Sequence, residues 1–287
     1  MSDLSSQMDL NQQSHPMHTE SSSQHPLRAP FVLVTGGKGG VGKTTVCANL
    51  GVQLAGQGHS VLLVDLDLGL SNLGLFLGVQ AKKTLEDALE NRCSFKECIQ
   101  EGPEGVHFLA GANGSETLAA LGADSRQRLI AGIAELSAQY DVILGDSAAG
   151  VGTDVLHFAS IADRVLVVTT PEVAALTDAY GLIKAIDEFG SRSNVDIPTP
   201  ELVVNQCSGV EEGQDIARKL RQVCERFLAR TPRQAGWIPR SRAVAQAAQR
   251  STPFVGVKRR GLEQLCLRQI AGRFRVLVGG NAAAGCL

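Results

Sequence analysis

Aromatic residues, paired cysteines and long apolar runs are all scarce in this chain. Only 4% of its 287 residues are aromatic although 44% are hydrophobic, so Val, Leu, Ile and Ala dominate, as in parallel strands buried between helices. The seven cysteines form no C-x-x-C pair, which favours reduced thiols in a cytoplasmic protein over a disulfide framework or a zinc site. No apolar run approaches about 18 residues and no apolar signal segment opens the chain, so neither a membrane-spanning helix nor export by that route is expected.

Charge is divided unevenly along the chain. The formal net charge is −2, but residues 1–210 carry −12 and residues 211–287 carry +10. A basic last third indicates an acidic partner, such as nucleic acid or a lipid surface, or else a set of solvated arginines on the last helices. The composition leaves both interpretations open.

A glycine-rich segment, GKGGVGKT at residues 37–44, lies between an apolar run at 31–34 and a helix-like run at 45–50. Glycines let the backbone turn tightly, so successive N–H groups face an anion at a helix N-terminus. In this pattern Lys43 reaches the β- and γ-phosphates of a nucleotide, and the Thr44 hydroxyl holds Mg²⁺. A merely flexible glycine turn would not account for a Lys-Thr pair at a helix start. The predicted nucleotide-binding residues here are Gly37, Lys38, Gly39, Gly40, Val41, Gly42, Lys43, Thr44 and Thr45.

Carboxylates follow two further apolar runs. One run leads into Asp65 and Asp67, and a later one leads into Asp146. Because the carboxyl ends of parallel strands face the ligand crevice, we expect these side chains at the same edge as the glycine loop. Mg²⁺ and an attacking water would both be needed at that edge.

Strand-like and helix-like runs alternate along the chain, which predicts an α/β fold: a doubly wound, mostly parallel sheet with helices on both faces. Strands are predicted at about 31–35, 60–65, 106–110, 140–146, 164–171, 201–206 and 235–239. Helices are predicted at about 42–57, 84–101, 124–139, 174–188, 211–229, 244–250 and 258–277.

Lys38 gives the glycine loop a second lysine, and the resulting KGGVGKT resembles the deviant Walker A motif of the MinD/ParA family of P-loop ATPases (SIMIBI class). The resemblance extends over residues 31–255. It implies ATP and Mg²⁺ as ligands and a homodimer in the ATP state, in which Lys38 contacts the phosphates of the other subunit's nucleotide. The alternative is a Lys38 that is solvated at the loop tip.

The same resemblance implies roles for residues beyond the loop. Residues 65–73 look like the first switch, in which Asp67 orients the attacking water and Asn72 lies near the dimer seam, and residues 146–150 look like the second switch. The implied catalytic residues are Lys38, Lys43, Asp67 and Asp146, and the implied metal-binding residues are Thr44, Asp67 and Asp146.

Adenine recognition is implied for two later residues. Asn205 resembles the family's adenine-reading Asn, and Pro239 lies in a Trp-Ile-Pro segment similar to the one that packs on the base. Arg240 stands where the family often has an acidic residue, so the resemblance does not define the base contacts.

The predicted organisation has three parts. A disordered N-terminal arm covers residues 1–29, because its Ser, Gln, His and Met offer little apolar surface to bury. A P-loop ATPase domain covers residues 30–257, and a basic C-terminal helix and tail cover residues 258–287.

Residues 68–73, 169–172 and 176–184 look most like the flagellar branch of this family, known as FlhG or FleN. That branch regulates the number and placement of flagella, which implies an FlhF-like GTPase or a FleQ-like transcription activator as partner. An ordinary helix start capped by Thr177 is the structural alternative for residues 177–180. The arm's residues 24–28 match poorly the element with which some members stimulate the GTPase.

The C-terminal helix has two interpretations. Leu262, Cys266, Ile270, Phe274 and Leu277 fall near one face and arginines flank them, as in a helix that lies on the inner face of the cell membrane. The same pattern suits a last helix packed on the sheet.

Three rival functions use the same fold. A ParA-type partition ATPase would bind DNA through basic residues, but residues 177–184 favour the flagellar branch. An iron–sulfur carrier would need a bridging cysteine pair, and a metabolic P-loop enzyme gains nothing from Lys38.

Overall fold

The fold is built around one eight-stranded sheet. The structure, a computed structural model, describes residues 27–111, 121–228, 230–255 and 261–274. The strand order is β3-β4-β2-β5-β1-β6-β7-β8; β3 pairs antiparallel with β4 and every other pairing is parallel. The predicted fold class is confirmed. The strands are β1 (Phe31–Gly36), β2 (Val61–Leu66), β3 (Ile99–Glu101), β4 (His107–Leu109), β5 (Val142–Ala149), β6 (Arg164–Thr169), β7 (Glu201–Cys207) and β8 (Arg233–Pro239).

Helices cover both faces of this sheet. Alternate residues of β1 face opposite sides, so Phe31 and Leu33 enter one apolar layer while Val32 and Val34 enter the other. Helices α3 to α7 contribute to the first layer, and α1, α2, α8 and α9 pack mainly in the second. The helices are α1 (Lys43–Ala55), α2 (Leu73–Leu77), α3 (Leu85–Leu89), α4 (Ala123–Ser137), α5 (Thr153–Ser160), α6 (Val173–Ser193), α7 (Val210–Phe227), α8 (Arg242–Gln249) and α9 (Leu262–Gly272).

The segment predicted as one helix over 84–101 is divided into three elements. Helix α3 ends at Leu89, and Asn91 then adopts a left-handed conformation with φ of 60°. Ser94 opens a 3₁₀ turn over Phe95–Cys98, which leads directly into the edge strand β3. The left-handed residue ends the helix because continued helical hydrogen bonding requires negative φ.

Helix α9 packs on the domain. Cys266, Ile270 and Phe274 are buried, and the helix contacts β8 and α1. Arg164 clamps its end: the guanidinium donates to the Arg273 carbonyl at 2.8 Å and lies 4.4 Å from the centre of the Phe274 ring. The packed interpretation therefore applies to Cys266, Ile270 and Phe274, whereas Leu262 is 54% exposed and Leu277 lies outside the described residues.

The two predicted terminal segments lie mostly outside the described residues. Of the arm, only residues 27–29 are described, and Leu27 and Ala29 are buried in the core. Of the tail, residues 261–274 are described. Within the described ranges, no helix combines the length and apolar character that crossing a bilayer requires.

Candidate nucleotide-binding site

The glycine loop connects β1 to α1 at the carboxyl edge of the sheet. Gly42, the residue before α1, has φ of 93°, which a residue with a side chain rarely adopts. A Cβ on Gly37 would lie 2.1 Å from the Asp178 carbonyl oxygen of α6, so only glycine fits between the loop and that helix. No described side chain caps α1, and its first turn holds no acidic residue, so its N–H groups are available to an anion.

A cavity of about 490 Å³ opens beside this loop. Its volume is within the usual range for a small-molecule site. The loop after β2 supplies Asn72, and the ends of β7 and β8 supply Asn205, Pro239 and Arg240. Seven residues predicted to bind nucleotide line it: Gly40, Gly42, Lys43, Thr44, Thr45, Asn205 and Pro239.

Asp146 is almost fully buried beside the first residues of α1. Burial raises its pKa to about 8, the neighbouring Asp65 adds to the rise, and a hydrogen bond from the Thr44 hydroxyl and the charge of Lys43 oppose it. Burial likewise lowers the pKa of Lys43, against the charges of Asp146 and Asp67. The Asp146 carboxyl group and the Lys43 amine thus share a site where burial disfavours the charged form of each.

One oxygen of that carboxylate is open to a ligand. Asp146 Oδ1 is buried and finds no hydrogen-bond partner among the described residues. Together with the Thr44 hydroxyl it offers the hard oxygen donors that Mg²⁺ prefers. The described residues hold no group of three or more His, Cys, Asp or Glu that could bind a metal, so phosphate and water oxygens would complete a coordination shell that includes the predicted ligands Thr44, Asp146 and Asp67.

Asp65 anchors the loop that carries Asp67, a role that the sequence analysis missed. Its carboxylate accepts hydrogen bonds from the Ser71 hydroxyl at 2.7 Å, the Leu73 amide at 3.0 Å and the Asp67 amide at 3.1 Å. Burial raises the pKa of Asp65 to about 6, and these hydrogen bonds oppose the rise. Asp67 remains partly exposed and accepts a hydrogen bond from the Leu70 amide at 3.3 Å.

Lys38 forms an ion pair with a residue from a distant part of the chain. Its Nζ lies 3.0 Å from Oε2 of Glu172, the residue just before α6. The two side chains are 36% and 65% exposed, so the pair is at the surface of the carboxyl edge. Glu172 is 134 residues away in the chain, and no local pattern connects the two.

Asn205 links β7 to the glycine loop. Its Nδ2 donates to the Val41 carbonyl at 2.8 Å, and its Oδ1 accepts from the Gln206 amide at 2.9 Å. Each of these atoms keeps one further hydrogen-bonding position. Gln206 has φ of 60°, a conformation uncommon outside glycine that composition does not reveal. Arg240 adds a positive charge to the same cavity.

Known proteins are similar in sequence to this chain over the residues that form the sheet and the cavity. The CobQ/CobB/MinD/ParA nucleotide binding domain matches residues 32–254. The antiactivator FleN of Pseudomonas aeruginosa is 34% identical over 249 residues, 87% of this chain and 86% of that protein. The flagellum site-determining protein YlxH of Helicobacter pylori is 33% identical over 200 residues, 69% and 65% of the two chains.

A solved structure shows the same fold with a nucleotide. The septum site-determining protein MinD of Pyrococcus horikoshii, complexed with Mg-ADP, superposes with a TM-score of 0.66. It is 25% identical in sequence, and the match covers 88% of this chain and 98% of that one.

Proposed function

Because the chain belongs to the CobQ/CobB/MinD/ParA nucleotide-binding family, we propose that it is an ATP-controlled dimerisation switch in the regulation of flagellar number or placement. It is a P-loop ATPase of the MinD/ParA type. In the proposed cycle two copies associate when both hold Mg-ATP, and slow hydrolysis separates them.

The observation that carries the proposal is the buried Asp146 oxygen next to Lys43 and Thr44. The N–H groups of α1 and the Lys43 ammonium bind the phosphates, while Thr44 and Asp146 hold the cation. Mg²⁺, when bound, neutralises charge on the β- and γ-phosphates. Asp67, on the loop anchored by Asp65, orients the attacking water, and Asn205 and Pro239 contact the base.

The surface around the loop supports association between two copies. Leu70, Val151 and Val173 are 72%, 52% and 80% exposed, and they follow β2, β5 and β6 at the carboxyl edge. Exposed apolar side chains at one edge are typical of an interaction surface. Lys38 lies at the same edge. In the dimer its ammonium group would leave Glu172 and contact the phosphates of the other subunit's nucleotide.

The flagellar assignment rests on the resemblance and on the names of the relatives, one a flagellum site-determining protein and one an antiactivator. A FleQ-like activator or an FlhF-like GTPase is the partner we propose. Contact with the inner face of the membrane stays a prediction, and it cannot use Cys266, Ile270 or Phe274, which are buried.

A DNA-partition role is less well supported by the charges. Helix α7 lies in the basic last third of the chain, yet its Arg218 pairs with Asp215 at 2.5 Å and its Arg221 with Glu225 at 3.4 Å. Their acidic partners partly neutralise these arginines, which reduces the positive charge that could bind a phosphate backbone. ATP-dependent retention on duplex DNA would overturn the flagellar assignment in favour of partition.

Molar mass by gel filtration with light scattering tests the switch. We expect Asp67→Ala, which should bind but not hydrolyse ATP, to be dimeric with Mg-ATP and monomeric with Mg-ADP. Lys38→Ala should bind Mg-ATP in calorimetry yet stay monomeric, whereas Lys43→Ala should lose binding. Lys184→Ala, an exposed lysine on α6, is the matched control and should behave like the unmodified protein. A monomeric Asp67→Ala protein with ATP bound would refute the dimer.

A further inference from the structure

Two cysteines contact each other in the connection between α3 and β3, away from the glycine loop. The Sγ atoms of Cys93 and Cys98 are 3.4 Å apart, and both thiols are free. A disulfide bond is about 2.05 Å long, so the two sulfurs would need to approach by about 1.4 Å.

The turn between the cysteines is held by its own hydrogen bonds. Glu97 Oε2 accepts from the Ser94 amide at 2.9 Å and the Ser94 hydroxyl at 3.0 Å, and Glu97 Oε1 lies 2.7 Å from Lys83 Nζ. Phe95 packs so closely on α4 that a Cβ on Gly132 would lie 2.4 Å from its ring. These contacts keep the two sulfurs near each other before any reaction, which reduces the entropic cost of joining them.

The two thiols differ in access to solvent. Cys93 is partly exposed, whereas Cys98 is fully buried and its Sγ donates to the Thr84 carbonyl at 3.1 Å. Burial raises the pKa of Cys98 to about 12, while the charge of Lys83 acts in the opposite direction. A small-molecule oxidant therefore reaches Cys93 first, and Cys98 lies behind it as the second thiol.

We propose that Cys93 and Cys98 are a site of reversible oxidation to an intramolecular disulfide by low-molecular-weight disulfides such as oxidised glutathione. The Cys93 thiolate attacks one sulfur of oxidised glutathione and displaces a glutathione thiolate, which leaves a mixed disulfide on Cys93. Cys98, as its thiolate, then attacks Cys93 Sγ and displaces the second glutathione thiolate. The two protein thiols are oxidised, one glutathione disulfide is reduced to two glutathione molecules, and the two thiol protons pass to the leaving thiolates.

The other described cysteines are poorer targets. Cys47, Cys207, Cys224 and Cys266 are all buried, with at most 4% of their surface exposed. Oxidation in the folded protein should therefore occur at the Cys93 pair before it occurs at these four.

Peptide mapping of the full chain tests the proposal. The protein is equilibrated with glutathione buffers of increasing oxidised fraction, the remaining thiols are alkylated, and the chain is cleaved with trypsin without reduction. Cleavage after Lys96 separates the two cysteines, so the disulfide should join peptide 93–96 to peptide 97–126. This species should lose two hydrogens relative to the separate peptides, and reduction should release both.

Single substitutions separate the two steps. Cys98→Ser should accumulate a glutathione adduct on Cys93, whereas Cys93→Ser, at the more exposed position, should leave Cys98 reduced. Cys224→Ser, which changes a buried cysteine outside the pair, is the control and should form the linked peptides normally. The proposal is overturned if Cys93 and Cys98 remain thiols in the most oxidised buffer and are therefore both recovered as alkylated residues. It is equally overturned if only the mixed disulfide appears in the unmodified chain, or if Cys93 joins Cys286 instead.

Discussion

Replacing Asn49 by Ala should destabilise the nucleotide-free protein more than most single changes would. Asn49 is buried in α1, one turn after Thr45, and its Oδ1 accepts from the Phe254 amide at 2.7 Å and the Val255 amide at 3.1 Å. Its Nδ2 donates to the Thr45 carbonyl at 2.8 Å. One side chain thus joins the helix behind the glycine loop to a segment more than 200 residues later in the chain.

The size of the effect follows from the two donors that lose their acceptor. Both amides are buried, and a buried donor without a partner costs about 1–3 kcal/mol, so Asn49→Ala should lower the free energy of unfolding by about 2–6 kcal/mol. A domain of about 150–250 residues loses roughly 2–4 °C of Tm per kcal/mol, which corresponds to a Tm decrease of roughly 4–24 °C.

Urea unfolding followed by circular dichroism, without nucleotide, measures this difference. Gln53→Ala removes a partly exposed side chain one turn later in α1 and serves as the matched control, with an expected change within about 0.5 kcal/mol. A loss for Asn49→Ala below about 1 kcal/mol, or equal to that of the control, would show that the two amides find other partners and would refute the reasoning.

Three other perturbations test individual contacts. Glu201 accepts two 2.6 Å hydrogen bonds from Arg164, so Arg164→Met leaves its carboxylate largely buried and unpaired and should lower the free energy of unfolding in urea by about 3–5 kcal/mol. Changing Glu201 to Met as well should restore part of that loss, and an equal loss in the double variant would contradict the pairing. Glu172→Gln removes the exposed partner of Lys38, and such exposed pairs contribute about 0–1 kcal/mol. Sedimentation should therefore show an ATP-state dimer that is up to about fivefold tighter for each ion pair removed. Weaker dimerisation would show that Glu172 itself supports the contact. Asp146 has a pKa of about 8 in the nucleotide-free protein against 3.8 ordinarily, so the folded state binds more protons between these values and the free energy of unfolding should fall as pH rises from about 4 to 8. In urea unfolding at pH 6 and pH 8.5, Asp146→Asn should remove most of this decrease and leave the smaller part that Asp65, with a pKa of about 6, contributes. An unchanged slope would refute the assignment.

Much of the fold was predictable because its signals are local. The continuous apolar run at 31–34 indicates a strand buried on both faces, as β1 is, and the Lys-Thr pair at 43–44 marks the start of α1. Patterns of this kind extend over a few residues and need no knowledge of the rest of the chain. The same locality explains why Asp65 and Asp146 could be placed at one edge, where the structure pairs them across β2 and β5.

The contacts that could not be predicted join distant segments or depend on single backbone angles. The bond from Asn205 to the Val41 carbonyl spans 164 residues, and the pair of Lys38 with Glu172 spans 134. Both arise only after the strand order is set. The left-handed residue at Asn91 divides a segment whose side chains alone suit one helix.

The clamp on α9 also determines where a reporter group can be attached. Arg164 is the first residue of β6 and lies beside Val32 near the start of β1, whereas the glycine loop follows the end of β1 at Gly36. Val32 and Gly36 are four residues apart along β1, which corresponds to roughly 13 Å. Phe274, the last described residue, packs against Arg164 and therefore lies at the opposite end of the strands from the nucleotide cavity. A fluorescent dye attached at the exposed position 273 would therefore lie at the opposite end of the strands from the nucleotide cavity.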